Sequence, residues 1–397
     1  MKKNKTYIKR NNCYTLQKIA NIPYLLPVGQ MIADQRRGLQ LNETGAYLWE
    51  LLKKARTLDE LIALCADYYG LSKKQLPEIK EDVQQFIDTL SAHGMVVFPP
   101  HTQPDKITES FYQCVEIAGL KCMLYGPADA FPAQLDAFVC KPAQAPHQSL
   151  ELLSYTPQRH ENGKILLRND DLAIIDCKDK YILLFPSLPQ ISEVHLTKDA
   201  SYVRFYCSPP YTENFRTDFF HAMCPVYLYL AQRHNMAALH SASVLYQGKA
   251  WLFSASSGTG KSTHANLWNE LYDAPLINGD LNLLALDNRQ AVIHGTPWCG
   301  SSGCFDTRTY PLGGIILLKQ SVRDYTETLP KDKQRLFTLQ RLVSPSWSEK
   351  LLARNLRLIE KLAPQILICR LYCTPNPSAA QTAKREIDCY LQKREGI

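Results

Sequence analysis

The chain has 397 residues, 45% hydrophobic and 21% charged, with a formal net charge of +7, values of a folded soluble protein that exclude a disordered or fibrous one. The positive charge is mild and spread out rather than gathered in a stripe, which argues against nucleic acid as a partner, and no apolar run approaches the ~20 residues of a membrane helix. Two or three domains are expected at this length.

The basic start, with Lys2, Lys3, Lys5, Lys9 and Arg10, reads as a solvated terminus. Residues 1–100 then read as a small, mainly helical module. Asn42 is placed to cap a helix carrying Ala46, Leu48, Trp49, Leu51 and Leu52 on one side. Thr57 and Glu60 have the spacing of a capping box ahead of Leu58, Leu61, Ile62 and Leu64, and Gly70 offers a stop. A third helix carries Ile79, Val83, Phe86, Ile87 and Leu90 and ends near Gly94. Met95 to Phe98 follows as a short strand, and Pro99-Pro100 closes the module.

From 105 to 215 the pattern turns β-rich, with strands at Leu172–Ile175 and Tyr181–Phe185 joined by a Lys178-Asp179-Lys180 turn; no chemistry is evident there. From 216 to 397 strands and helices alternate as in an α/β domain: a helix over Phe219–Arg233, strands around Ser241–Tyr246 and Lys249–Ser254, and a helix opening at Asn376-Pro377. Thirteen cysteines, an odd count, with no secretory segment and no Cys-x-x-Cys, point to free thiols in a reducing cytoplasm. Neither Cys299 with Cys304 nor Cys369 with Cys373 joins a histidine pair in zinc spacing.

The chemistry concentrates after the strand Lys249–Ser254. There Ala255-Ser256-Ser257-Gly258-Thr259-Gly260-Lys261-Ser262-Thr263 forms a small-residue loop that opens a helix carrying Ala265, Leu267 and Trp268. Small residues let backbone N–H groups approach phosphate oxygens, the helix N-terminus adds its positive dipole end, Lys261 neutralises charge, and the Ser262 hydroxyl suits magnesium. Ser256, Ser257, Gly258, Thr259, Gly260, Lys261, Ser262 and Thr263 are therefore the expected ATP cradle. The usual first glycine is replaced by Ala255, tolerable where φ is negative. Downstream, Asn278-Gly279-Asp280 ends a short apolar strand, where a magnesium ligand or a base for an incoming hydroxyl belongs; it is also good turn chemistry. His240 precedes a hairpin, turned at Gln247-Gly248, that feeds the loop. The segment from Gly295 to Gly300 reads as a pocket-lining loop.

At Leu239-His240, at the loop from Ser257 to Thr263, and at Asp280 the sequence resembles the HPr kinase/phosphorylase-like family, which shares its catalytic fold with phosphoenolpyruvate carboxykinases. The resemblance spans roughly residues 235 to 375 and implies phosphate transfer from ATP to a hydroxyl, commonly serine. By that likeness Asp280 is base or metal ligand, His240 an active-site partner and Lys261 the phosphate clamp. The family usually shows paired aspartates where this chain has Gly279-Asp280, and its segment for engaging HPr is not recognisable, which argues against HPr as substrate.

The front of the chain resembles a PqqD-type peptide-recognition domain through the run from Leu39 to Ala46, the run from Leu48 to Leu52, and the helix and strand up to Phe98. Such domains take up the leader of a precursor peptide as an added strand. The expected fold is thus multidomain, α+β and α/β: a winged-helix-like front module, a β-rich middle, and an HPr kinase/phosphoenolpyruvate carboxykinase-like phosphate-loop domain over 216–397. The expected function is an ATP- and magnesium-dependent kinase acting on a hydroxyl of a precursor peptide or small molecule in a modified-peptide pathway. A non-catalytic ATP-binding peptide-recognition module and a carboxykinase acting on a small acid are the rivals, and a homo-oligomer is left open.

Overall fold

The computed structural model describes residues 6–72, 75–99, 107–157, 163–256 and 258–395. Ser257 of the expected cradle, Lys2, Lys3 and Lys5 of the basic start, and Pro100 lie outside the described residues.

Three expected helices build most of the front module, Glu43–Leu51, Leu58–Tyr68 and Leu76–Ala92, the first two starting at their caps, and a four-residue helix, Gln30–Ala33, precedes them. The Asn42 Oδ1 accepts the Gly45 N–H at 2.7 Å. The capping box is reciprocal: Glu60 N–H donates to Thr57 Oγ1 at 3.3 Å, and Thr57 N–H to Glu60 Oε2 at 3.0 Å. Gly94 ends the third helix at φ +66°, a left-handed conformation that costs glycine little. Trp49, Leu61 and Leu90 fill the core with no exposed surface. Unforeseen is a hairpin, Tyr14–Ile19 with Ile22–Pro27, extended by Leu39–Gln40. Its turn is Ala20-Asn21, both at positive φ; two-residue turns of this kind usually carry glycine, so the sequence gives no such sign. Lys9–Arg10 pairs with Val96–Val97 and ties the two ends of the module together.

The middle of the chain forms a nine-stranded sheet. From one edge, Lys164–Arg168, Ala173–Asp176, Lys180–Leu184, Ile191–Thr197 and Tyr202–Cys207 run as an antiparallel meander. Gln148–Leu153 and Leu120–Tyr125 continue the sheet in parallel pairing, followed by Phe111–Ile117 and Val139–Cys140. The helix expected from Phe219 starts earlier, at Glu213, where the Thr212 hydroxyl caps it. Phe215, Phe219 and Leu230 from this helix share one apolar core with the sheet residues Leu124, Leu152 and Phe205. A continuous core therefore crosses the line that the sequence draws at residue 216.

Beyond it, two long strands each serve two sheets. Ala237–Tyr246 pairs with Leu281–Asp287 through its first four residues and with Lys249–Ser254 through its last six. Thr309–Gln320 likewise pairs first with Gln290–His294, then with Lys249–Ser254 and Leu367–Cys373, both parallel to it. The strand period of two decides what covers each face. Ala250, Leu252, Ile315 and Leu317 face a core with Leu358, Ile359 and Leu362 of the helix Glu349–Leu362. Trp251, Phe253, Ile316 and Leu318 face the opposite core, with Ala265 and Trp268 of Lys261–Tyr272 and Ala380 and Ile387 of Pro377–Glu395. Among the described residues no helix is long and apolar enough to cross a membrane, and all thirteen cysteines are free.

Candidate nucleotide and acceptor site

His240 sits at the point where its strand changes sheets: it is paired with Leu281, while the next residue, Ser241, is paired with Ser254. Such crossing points open crevices beyond the strand ends, where ligands bind in open α/β sheets. The His240 carbonyl accepts the Ser254 hydroxyl at 2.7 Å, and its N–H donates to the Arg341 carbonyl at 3.1 Å. The backbone that carries His240 is therefore pinned to the end of the strand that feeds the glycine-bearing loop.

The loop itself has the expected frame, a strand Lys249–Ser254 before it and a helix Lys261–Tyr272 after it. Gly258 and Gly260 stand at φ +76° and +108°, conformations that L side chains rarely adopt. Ala255 is fully buried in the core beside Phe253 and Ala265 and does not take a positive φ; a methyl there is a packing residue rather than a defect. Ser256, Ser262 and Thr263 are exposed, whereas Lys261 is only 9% exposed. Burial lowers the Lys261 pKa below its usual value, the Asp280 carboxylate opposes that, and the Arg341 guanidinium adds to it.

Asp280 is held by the turn that its sequence advertises. Asn278 Oδ1 accepts the N–H groups of Asp280 and Leu281, each at 2.9 Å, and the Asn278 side-chain amide donates to the Thr296 carbonyl at 3.0 Å. The turn reading and the functional reading of Asn278-Gly279-Asp280 are thus compatible: the turn aims the acid. Asp280 Oδ1 lies 3.0 Å from His240 Nε2. The hydrogen bond from His240 holds the carboxyl below its usual range; burial opposes this, and the charges of His240 and Lys261 reinforce it. The structure therefore brings Lys261, His240 and Asp280 together from three separate elements.

Two features escape a sequence motif. Arg341 Nη1 donates to the Ser256 hydroxyl at 2.9 Å, adding a second cation at the loop mouth. Nothing in the spacing of Arg341, which follows a helix eighty residues downstream, marks it. The second feature is Ser302, whose hydroxyl donates to the Cys299 carbonyl at 2.7 Å. A Cβ added at Gly279 would stand 1.9 Å from Ser302 Oγ, 2.5 Å from Ser302 Cβ and 2.9 Å from the Cys299 carbonyl oxygen. The loop after Trp298 thus fills the space that a second acid beside Asp280 would need.

Two cations against one carboxylate leave the loop mouth short of negative charge, which suits a polyphosphate. Among the described residues no group of three or more His, Cys, Asp or Glu gathers as a metal site. One hydroxyl, Ser262, and one carboxylate, Asp280, remain. That sparse donor set fits magnesium, which keeps most of its coordination for phosphate oxygens and water. On the other side of the pair, His240 and Asp280 open on a cavity of ≈ 490 Å³, walled in part by Leu167 and Leu172 of the middle sheet. The region expected to carry no chemistry therefore helps to enclose the site.

Residues 30–96 match the sequence profile of the family described as Coenzyme PQQ synthesis protein D (PqqD), so the front of the chain holds a PqqD-like domain. The matched stretch takes in the three helices, while the unforeseen hairpin lies ahead of it. No curated protein matches the chain.

Proposed function

We propose that the chain is a kinase that moves the γ-phosphoryl group of ATP to a hydroxyl, serine being the expected one, on a peptide held by its PqqD-like domain. PqqD domains bind precursor peptides and belong to peptide-modification pathways. The observation that carries the reading is the convergence of Lys261, Asp280 and His240 at the mouth of the glycine-bearing loop, the His240–Asp280 pair standing at 3.0 Å.

In this mechanism backbone N–H groups of the loop and the amines of Lys261 and Arg341 bind and orient the phosphates. Asp280, kept ionised by His240, accepts the acceptor's hydroxyl proton as the oxygen bonds to the γ-phosphorus. The bond to the bridging oxygen breaks, and ADP leaves with that electron pair. Magnesium, held by Ser262, Asp280 and the phosphates, would supply charge neutralisation on the transferred group.

The test uses the full chain with ATP, magnesium and serine-containing peptides, read by mass. A gain of one phosphate that vanishes in Asp280→Asn supports the kinase. In parallel, calorimetry of magnesium-ATP should show binding that weakens roughly 100-fold in Lys261→Ala, the loss of a charge-assisted phosphate contact. Binding that survives Lys261→Ala undiminished overturns the reading. A non-catalytic ATP-binding module is the second reading, favoured by the single acid beside the occupied Gly279 position; ATP binding with no transfer to any peptide would select it. A carboxykinase acting on a small acid has less support, because none of the described residues lining the cavity beside Asp280 is Lys or Arg.

A further inference from the structure

The cavity beside His240 and Asp280 has a composition that narrows the acceptor. One wall is the hairpin of the middle sheet, through Leu167 and Leu172; a second is the helix Glu213–Arg233, through Pro225 and Leu228; the third is Val343 and Trp347. The remaining titratable neighbour, Cys224, is neutral, since burial pushes its thiol up to about 12. All charge is therefore at one end, on the pair where transfer would occur. An anionic acceptor would meet the Asp280 carboxylate with no Lys or Arg lining the cavity and with His240 already paired to that carboxylate, whereas an aliphatic or aromatic group would replace water on apolar walls.

Two further observations define the wall and tie it to the front domain. Trp347 stacks on Tyr229 with ring centroids 5.7 Å apart and meets Tyr181 edge-on at 5.6 Å, which fixes the indole. Its indole N–H is buried with no hydrogen-bond partner among the described residues, so the ring serves the cavity as an apolar wall. The hairpin that lines the cavity also reaches the PqqD-like domain: Arg168, next to Leu167, lies 3.7 Å from Asp34. One short hairpin thus touches both the peptide-recognition module and the cavity.

We infer that this cavity is the acceptor site and that its occupant is a hydroxyl carried on an apolar chain, a serine flanked by apolar residues in the peptide that the front domain holds. The inference rests on the kinase reading, and deepens it by naming the acceptor. The acceptor's O–H loses its proton to Asp280 as the oxygen takes the γ-phosphoryl group and ADP departs with the electrons of the broken bond. Apolar neighbours of the serine occupy the Leu167, Leu172 and Trp347 walls.

Three probes test it with the full chain, ATP and magnesium: Ac-Leu-Ser-Phe-amide, Ac-Asp-Ser-Asp-amide, and 2-phenylethanol as a free apolar alcohol. The expected result is phosphorylation of the apolar tripeptide at least 10-fold faster than of the acidic one. In Leu172→Asp, and in Leu167→Asp as a second variant, that preference falls at least 10-fold while ATP affinity holds, and Leu172→Met retains it. Faster reaction of the tripeptide than of 2-phenylethanol supports a peptide-borne hydroxyl, and the reverse overturns the peptide as occupant in favour of a free apolar alcohol. Equal or faster reaction of the acidic tripeptide, unchanged by both aspartate variants, overturns the inference and leaves the kinase standing. If no probe is phosphorylated, calorimetry of Ac-Leu-Ser-Phe-amide decides. Binding that Leu172→Asp weakens 10-fold keeps the cavity as an apolar peptide site while the kinase reading fails, and absence of binding ends the inference.

Discussion

The PqqD-like front domain and the phosphate-loop region differ in where their information lies along the chain. In the front domain two helices are announced within four residues of their starts, by Asn42 bonded to Gly45 and by Thr57 and Glu60 bonded to each other. In the phosphate-loop region the site is a meeting point: His240 from one strand, Lys261 from a helix, Asp280 from a turn and Arg341 from a distant loop. Local encoding makes a module recognisable from a short stretch, whereas an assembled site depends on a sheet whose strands pair across long separations. Damage should follow the same division. A change in the front domain should cost stability in small increments, and a change at the assembled site should cost chemistry outright.

The sharpest way to break the comparison is Asp280→Asn. It should lower transfer roughly 10³-fold, the scale of a positioned base, with the folded front domain unchanged. Because its carboxyl is held below its usual value by His240, Asp280 stays ionised throughout the neutral range. Its titration should therefore not appear in a rate profile above about pH 5.

Next in size is an acid effect confined to the phosphate-loop region. His264, one turn into the helix from Lys261 and 2% exposed, has its pKa lowered by burial to about 4, with the Asp324 carboxylate opposing the shift. In the unfolded chain an ordinary histidine titrates near 6.5, so between about 6.5 and 4 the unfolded state binds the extra proton. The stability that neutral His264 contributes is thus complete above pH 6.5 and is lost as the pH falls through that window, by roughly 3 kcal/mol at most. Thermal melts from pH 7 to 4 should show this slope, and His264→Phe should flatten it. An unchanged slope in the variant would place the acid sensitivity elsewhere.

Gly279→Ala sharpens the comparison within the site. The new methyl meets Ser302 and the Cys299 carbonyl, an overpacking expected to cost about 2 kcal/mol. Ser302→Gly added to it should return part of the loss, and the pair measured as a double-mutant cycle should be non-additive. Full additivity would mean that the loop after Trp298 does not occupy that space.

What the sequence discloses follows from the same distinction. The three helices of the front domain and the strand, loop and helix around Lys261 are legible because caps, glycines and apolar periods act over a few residues. The hairpin Tyr14–Pro27 is not, because Ala20 and Asn21 adopt positive φ without glycine to advertise it. His240 and Asp280 are legible as candidates, and the structure adds that they touch. Arg341 is silent in sequence because an arginine in a loop has no period or spacing. Leu172 reads as an ordinary strand residue and Leu167 carries no sign, and only the packing of the middle sheet beside the helix Glu213–Arg233 turns them into a cavity wall. Ala255 reads as a departure from the motif until its burial shows that it belongs to the core.

The smallest expected effect tests the local half of the comparison. Thr57 accepts the Glu60 N–H and has its own N–H satisfied by the Glu60 carboxylate. Thr57→Ala removes the acceptor but keeps the chain direction, so it should cost about 1 kcal/mol, the usual value of an N-cap. The loss should appear in denaturant melts as a shifted midpoint with an unchanged slope, since the same surface is exposed on unfolding. Magnesium-ATP affinity should not move, because the helix Leu58–Tyr68 packs in the core of the front domain, which contains no residue of the phosphate loop. A loss of nucleotide affinity in Thr57→Ala would mean that the two regions fold as one cooperative unit, and that the local encoding of the module does not make it independent.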